Sequence, residues 1–222
     1  MANPIKPSLK TEWLAWLLIV LSAVIAVYFY QHFPDRVPTH WDFSGQVDGY
    51  SSRAVGAFIM PLMMLGLYLL FLFIPYLDPR REQYAAFAGT YHQFKNLLVA
   101  FFFVISILTG LSGLGYAVNI GFLIPVLIGL LFILIGSLLH RVKMNWFMGI
   151  RTPWTMSSET VWDKTHALSG RVFMLSGLLI AATALVANPW KLILFIAAIA
   201  ILVLALPVYS YVLFRQEKAG KK

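Results

Sequence analysis

The chain has 222 residues, 60% of them hydrophobic and 12% charged, with a formal net charge of +8. Soluble domains lie nearer half apolar and a quarter charged, so this composition and its long uncharged runs exclude an ordinary soluble domain and indicate an integral membrane protein. The absence of Cys excludes disulfides, Cys-ligated zinc and thiol chemistry. The basic excess reads as the positive-inside bias of a membrane protein, with no direct nucleic-acid partner.

Residues 1–12 are a polar start with Lys6 and Lys10. Trp13 to Tyr30 is the first apolar span, with Trp13, Tyr28 and Tyr30 at the headgroup levels. It is longer than a signal-peptide core, and no A-x-A site follows it. Residues 31–53 form a polar loop. Ala54 to Leu77 is the second span, with Pro61 and Pro75 expected to kink it without breaking it. In residues 78–96, Tyr84, Phe87, Tyr91 and Phe94 recur at helical spacing, which predicts an amphipathic interfacial helix over about 80–96 that runs on into the third span. Leu97 to Val118 is the third span, Phe122 to Leu139 the fourth, Val172 to Ala187 the fifth and Trp190 to Phe214 the sixth, before a basic tail. Small residues at Ser106, Gly110 and Gly113, and at Gly177 and Ala181, mark faces for close helix packing.

Six spans place both termini on one side. Every Lys and Arg except Arg36, Arg53 and Lys191 falls on that side. The expected fold is therefore an all-α membrane protein of six transmembrane helices in the cell membrane, with cytosolic N- and C-termini and a small extracytoplasmic cap loop at 31–53. Two regions are expected: residues 1–96, with two spans, the loop and the interfacial helix; and residues 97–222, with four spans and a cytosolic motif loop at 140–171. None of the six apolar cores contains Asp, Glu, Lys, Arg or His, which argues against an ion-coupled transporter.

The motif loop is the most informative stretch: NWFMGIRTPWTMSSETVWDKTHALSG, from Asn145 to Gly170. A turn is expected at Gly149, an extended residue at Thr152 before Pro153, and a helix N-cap at Ser157 with Glu159 in its first turn. On that helix Trp162, Thr165, His166, Ser169 and Gly170 share one face, suited to close packing against protein. Arg151, beside Pro153 and Trp154, is expected to pair with Asp163 or Glu159, or to clamp a partner's carboxylate. The cap loop is the second such stretch. In an extended strand Thr39, Trp41 and Phe43 point one way and His40, Asp42 and Ser44 the other; Ser44-Gly45 and Asp48-Gly49 are turn signals. Its two readings are contact with an external ligand and a cap fastening the first two spans.

Other chemistries find little support. His92, His140 and His166 share the inner side with Asp78, Glu82, Glu159 and Asp163, but no metal-ligand spacing joins them. Ser157, Ser158, Asp163 and His166 are hydrolase residue types without a nucleophile elbow.

The pattern Asn145, Gly149-Ile150-Arg151-Thr152-Pro153-Trp154-Thr155, Ser157-Ser158-Glu159, Trp162, Thr165-His166 and Gly170 resembles the SdpI immunity-protein family of bacterial membrane proteins. Pro38, His40, Gly45 and Asp48 resemble the P-x-H…G-x-x-D loop of the domain of unknown function that precedes it in that family. The resemblance implies a non-enzymatic, cofactor-free protein in the lipid bilayer. It would protect against a secreted, membrane-active peptide toxin and recruit a cytosolic transcriptional repressor. The implied binding residues are Asn145, Arg151, Thr152, Pro153, Trp154, Trp162, Thr165 and His166 inside, and His40, Asp42 and Asp48 outside. The alternative reading is a membrane-embedded metal-dependent enzyme or metal-binding protein using the inner histidines and carboxylates.

Overall fold

The computed structural model describes residues 4–220. Six helices in it are long and apolar enough to cross a membrane. In chain order the elements are α1 (Leu9–His32), β1 (Arg36–Trp41), β2 (Val47–Ser52), α2 (Arg53–Leu77), α3 (Tyr84–Gly113), α4 (Ile120–Leu139), α5 (Pro153–Ser157), α6 (Glu159–Ala182), α7 (Trp190–Ala200) and α8 (Leu206–Ala219). A single π-helical segment, Ile201–Ala205, joins α7 to α8 ahead of Pro207, which has no N–H to return to the helix. The helices α2 and α4 run unbroken through Pro61, Pro75 and Pro125.

Short polar residues start several of these helices. Ser52, Asn119 and Ser158 accept from the backbone N–H groups of Val55, Phe122 and Val161, satisfying donors that an apolar segment cannot. The last of these corrects the expectation for Ser157. Pro153 opens a separate short helix, α5, capped by Thr152; Ser157 ends it, donating to the Pro153 carbonyl at 2.6 Å.

The expected cap loop is a β-hairpin, so the fold is not wholly α. Its strands pair antiparallel, Arg36 opposite Ser52 and Trp41 opposite Val47, with irregular register around His40. Asp48-Gly49 is no turn: Gly49 lies opposite His40 within the ladder, where a Cβ would stand 2.7 Å from that of His40. The turn is at Asp42–Gln46, with Gly45 at φ +86. Val37 fixes the hairpin to the bundle, buried with Phe29, Phe33 and Ala57.

Two further expectations change. The helix foreseen at 80–96 runs on into the third span as expected, with a kink at Phe87, but it is not interfacial: Tyr84, Phe87 and Tyr91 are buried in protein, packed with Val142, Met144, Met148 and Trp162. The apolar cores also extend past their first charges. Glu12 lies in α1 and His92 and Lys95 in α3, all three buried; Lys95 Nζ and His92 Nδ1 both meet the Glu12 carboxylate, the latter at 3.1 Å.

The helices α4 and α6 meet backbone to backbone. A Cβ on Gly136 would stand 2.6 Å from the Gly170 carbonyl oxygen and one on Gly177 2.5 Å from that of Gly129, so both contacts require glycine. The contacts recur seven residues apart on each helix, the repeat that keeps one helix face turned to its neighbour.

Candidate functional site

The motif stretch folds back on the bundle at the end that carries residues 78–83 and both described termini. Asn145 is fully buried and organises the first turn. Its Oδ1 accepts from the Phe147 and Met148 amides at 2.9 and 2.6 Å, and its Nδ2 donates to the Lys143 and Met148 carbonyls at 2.8 and 2.9 Å. Asp78 completes that turn from another connection, accepting from the Trp146 amide at 2.9 Å and the Tyr84 hydroxyl at 2.8 Å.

His166 holds the next turn. Its Nε2 accepts from the Ile150 amide at 3.0 Å, which leaves Nδ1 to donate to the Trp162 carbonyl at 2.9 Å. Its ring stacks on Trp162 at 4.0 Å between centroids, and the Trp162 indole donates to the Val142 carbonyl at 2.8 Å. Both imidazole nitrogens are engaged within the protein, which leaves neither for a metal. Gly149 permits this approach. Its φ is +117, and a Cβ there would press on the His166 ring and come within 3.2 Å of Trp162.

The remaining motif residues reach the last helix. Thr152 Oγ1 hydrogen-bonds Ser210 Oγ at 2.9 Å, Ser158 donates to Glu217 at 2.6 Å, and Trp154 packs on Tyr211 with centroids 5.0 Å apart. Thr165 and Ser169 are fully buried on the predicted face with Trp162 and His166; among the described residues the Thr165 hydroxyl has no hydrogen-bond partner. Arg151 departs from expectation. It is exposed, its guanidinium donates to the Trp146 carbonyl, and among the described residues no carboxylate pairs with it. Pro153 is exposed beside it, as are Trp146 and Phe147.

At the opposite end, His40 Nδ1 and Asp48 Oδ1 meet across the hairpin at 2.5 Å, both on the exposed face. Asp42 serves its own turn: Oδ1 accepts from the Ser44 hydroxyl at 2.6 Å and from the Ser44 and Gln46 amides at 2.8 and 2.9 Å. The Ser44 hydroxyl, then the Gln46 amide, hold its carboxyl below the ordinary range. The hairpin tip rests on the bundle. A Cβ on Gly121 would lie 2.8 Å from the Ser44 carbonyl oxygen, and Phe43 meets Phe195 edge to face at 5.3 Å.

Beneath the hairpin is a largely apolar cavity of about 460 Å³, walled by Thr39 to Phe43, by Phe101 and Ile105 of α3, by Ile124 and Pro125 of α4, and by Lys191 and Phe195 of α7. A smaller one, about 230 Å³, lies beside Gly149 and Ile150 at the motif end. No three His, Asp or Glu residues stand together as a metal set among the described residues.

Residues 141–210 match the SdpI/YfhL protein family, and residues 17–65 match a domain of unknown function, DUF1648. The immunity protein SdpI of Bacillus subtilis (strain 168) is 25% identical over 205 residues, covering 91% of this chain and 96% of that protein. The chain is thus similar to the SdpI family in its C-terminal part and to one SdpI protein along nearly its whole length. No solved structure matches it. The SdpI match begins at the turn before Asn145 and ends at Ser210, so it encloses the Thr152–Ser210 contact. The DUF1648 match takes in most of α1, the hairpin and the first half of α2. The contacts of Asp78 with the Trp146 amide and of Lys191 with the Gly121 carbonyl escape sequence reasoning, because they join residues 68 and 70 apart. Trp146 and Phe147 carried a signal: two bulky apolar residues next to a buried Asn at a membrane edge.

Proposed function

We propose that this protein is a membrane immunity and signalling protein. It would meet a membrane-active peptide toxin at its hairpin end and present a protein surface to the cytosol at its motif end. The near full-length likeness to a protein named for immunity carries this reading. Geometry supports a division of labour within it. Asn145, Thr152, Trp162, Thr165 and His166 are buried and build the motif end, whereas Arg151, Pro153, Trp146 and Phe147 are exposed there and form the face for a cytosolic repressor. His40 and Asp48 lie on the outer face of the hairpin, where an external peptide would arrive first. The metal-enzyme alternative draws no support from the inner histidines: His166 uses both ring nitrogens internally, and His140 is exposed beside Arg141.

The test is survival. A sensitive bacterial strain expressing the protein is challenged with a secreted toxin of the SDP type, comparing wild type, Arg151→Ala and His40→Ala at matched membrane abundance. Wild type is expected to protect. His40→Ala should lose protection, and Arg151→Ala should keep protection while losing toxin-dependent induction of a reporter. A well-inserted wild type that gives no protection would end the immunity reading for this toxin class.

A further inference from the structure

Lys191 has an unusual setting. It is the second residue of α7, yet it is 93% buried against protein, as its 7% exposure shows. A lysine at a helix end ordinarily extends its ammonium to the headgroups. This one turns inward, and Nζ donates to the Gly121 carbonyl at 2.5 Å. Among the described residues no carboxylate lies within 4 Å of it. A buried ammonium with one neutral acceptor keeps two donors and a charge uncompensated, an expensive arrangement unless an anion joins it.

The charge opens onto the apolar cavity under the hairpin. The neighbouring polar groups are already engaged: Thr39 with Ser51, Thr109 with the Ile105 carbonyl, Thr183 with the Ile180 carbonyl, and Asp42 with its own turn. A volume of about 460 Å³ falls within the range of small-molecule pockets, roughly 300–1,000 Å³. The wall therefore offers length without hydrogen bonds and one cation at its rim. A peptide backbone would leave its amides unsatisfied there, whereas an alkyl chain ending in a carboxylate has nothing but its head to satisfy.

We infer that this cavity is a binding site for a single-chain alkyl carboxylate, a fatty acid, with Lys191 pairing the carboxylate and Phe101, Ile105, Ile124 and Phe195 enclosing the chain. Gly121 links the site to the hairpin: its carbonyl takes the Lys191 ammonium, and its Cα lies under the Ser44–Gly45 turn. An occupant at Lys191 would thus touch the junction that holds the hairpin down. The inference stands apart from the immunity reading and does not need it.

The purified protein in phosphatidylcholine nanodiscs is irradiated with palmitic acid carrying a chain diazirine, or with its methyl ester, and adducts are mapped by mass spectrometry. The acid is expected to label the cavity wall at least tenfold over the ester. Lys191→Gln should abolish that preference and Lys191→Arg retain it. Ile105→Trp, which fills the cavity and leaves the ammonium in place, should remove the wall adducts altogether. Equal labelling by acid and ester overturns the proposal, as does a folded Lys191→Gln protein that still prefers the acid. If Lys191→Gln does not fold, wall labelling that persists in Ile105→Trp overturns it instead. Displacement of the probe by a short apolar peptide with a free carboxyl end, but not by palmitate, would also reject the alkyl chain.

Discussion

His166 explains why a histidine follows Thr165 in this motif without any chemistry being asked of it. Its acceptor nitrogen takes the Ile150 amide and its donor nitrogen reaches the Trp162 carbonyl. Removing the ring leaves a half-buried amide without a partner, a loss of about 1–3 kcal/mol before any packing term. Gly149→Ala attacks the same contact from the other side, through a positive φ and a clash with the ring. Both His166→Ala and Gly149→Ala should lower the melting temperature of the detergent-solubilised protein. Arg151→Ala, an exposed residue bonded to one carbonyl, should leave it within a degree or two. Added zinc should not raise the melting temperature of wild type. Stabilisation by zinc, or a His166→Ala protein as stable as wild type, would show that the clamp is misread.

The contact between α4 and α6 is the element-scale counterpart, because there the side chains have been removed so that backbones can touch. Gly136→Ala would place a methyl 2.6 Å from the Gly170 carbonyl oxygen, and the helices would have to separate. Overpacking of this kind costs about 1–3 kcal/mol. Gly66→Ala in α2 is the control, since nothing lies within 4 Å of that position. Thermal unfolding should show Gly136→Ala and Gly177→Ala well below Gly66→Ala, and the pair Gly136→Ala with Gly170→Ala should cost less than the sum, since both act on one contact. If Gly136→Ala melts with Gly66→Ala, the helices are not held at backbone distance. The small-residue face of α6 was legible in the sequence, as were the six spans, because a bilayer demands about twenty apolar residues per crossing. The span ends were not. Hydropathy stops at the first charge, whereas a helix continues wherever a buried partner waits, so Glu12, His92 and Lys95 read as rim residues until α1 and α3 are placed together. Lys191 failed for the related reason that helical spacing tells which residues share a face but not which face meets the hairpin.

Across the whole molecule the two ends differ in kind. One carries an exposed hairpin over an apolar cavity; the other carries a self-bonded motif, the 78–83 connection and both described termini, with most of the described lysines and arginines. From the charge bias we propose that the motif end faces the cytosol. Because the chain contains no Cys, the assignment is directly measurable with single introduced thiols. Ser44→Cys lies at the exposed hairpin turn and Ser157→Cys at the exposed end of α5. In intact cells a membrane-impermeant maleimide should label Ser44→Cys and spare Ser157→Cys, and both should label after lysis. The reverse pattern would place the hairpin and its cavity in the cytosol, and the hairpin end could then not be the first contact for a secreted peptide. Equal labelling of both positions in intact cells would instead mean a mixed orientation. Lys191 bears on this outcome. Of the three basic residues on the hairpin side, Arg36 lies over the Tyr50 ring, Arg53 pairs with Asp35 and Lys191 is turned inward onto the neutral Gly121 carbonyl with its charge still open to an anion, so little basic charge on this side opposes the orientation that the other end sets.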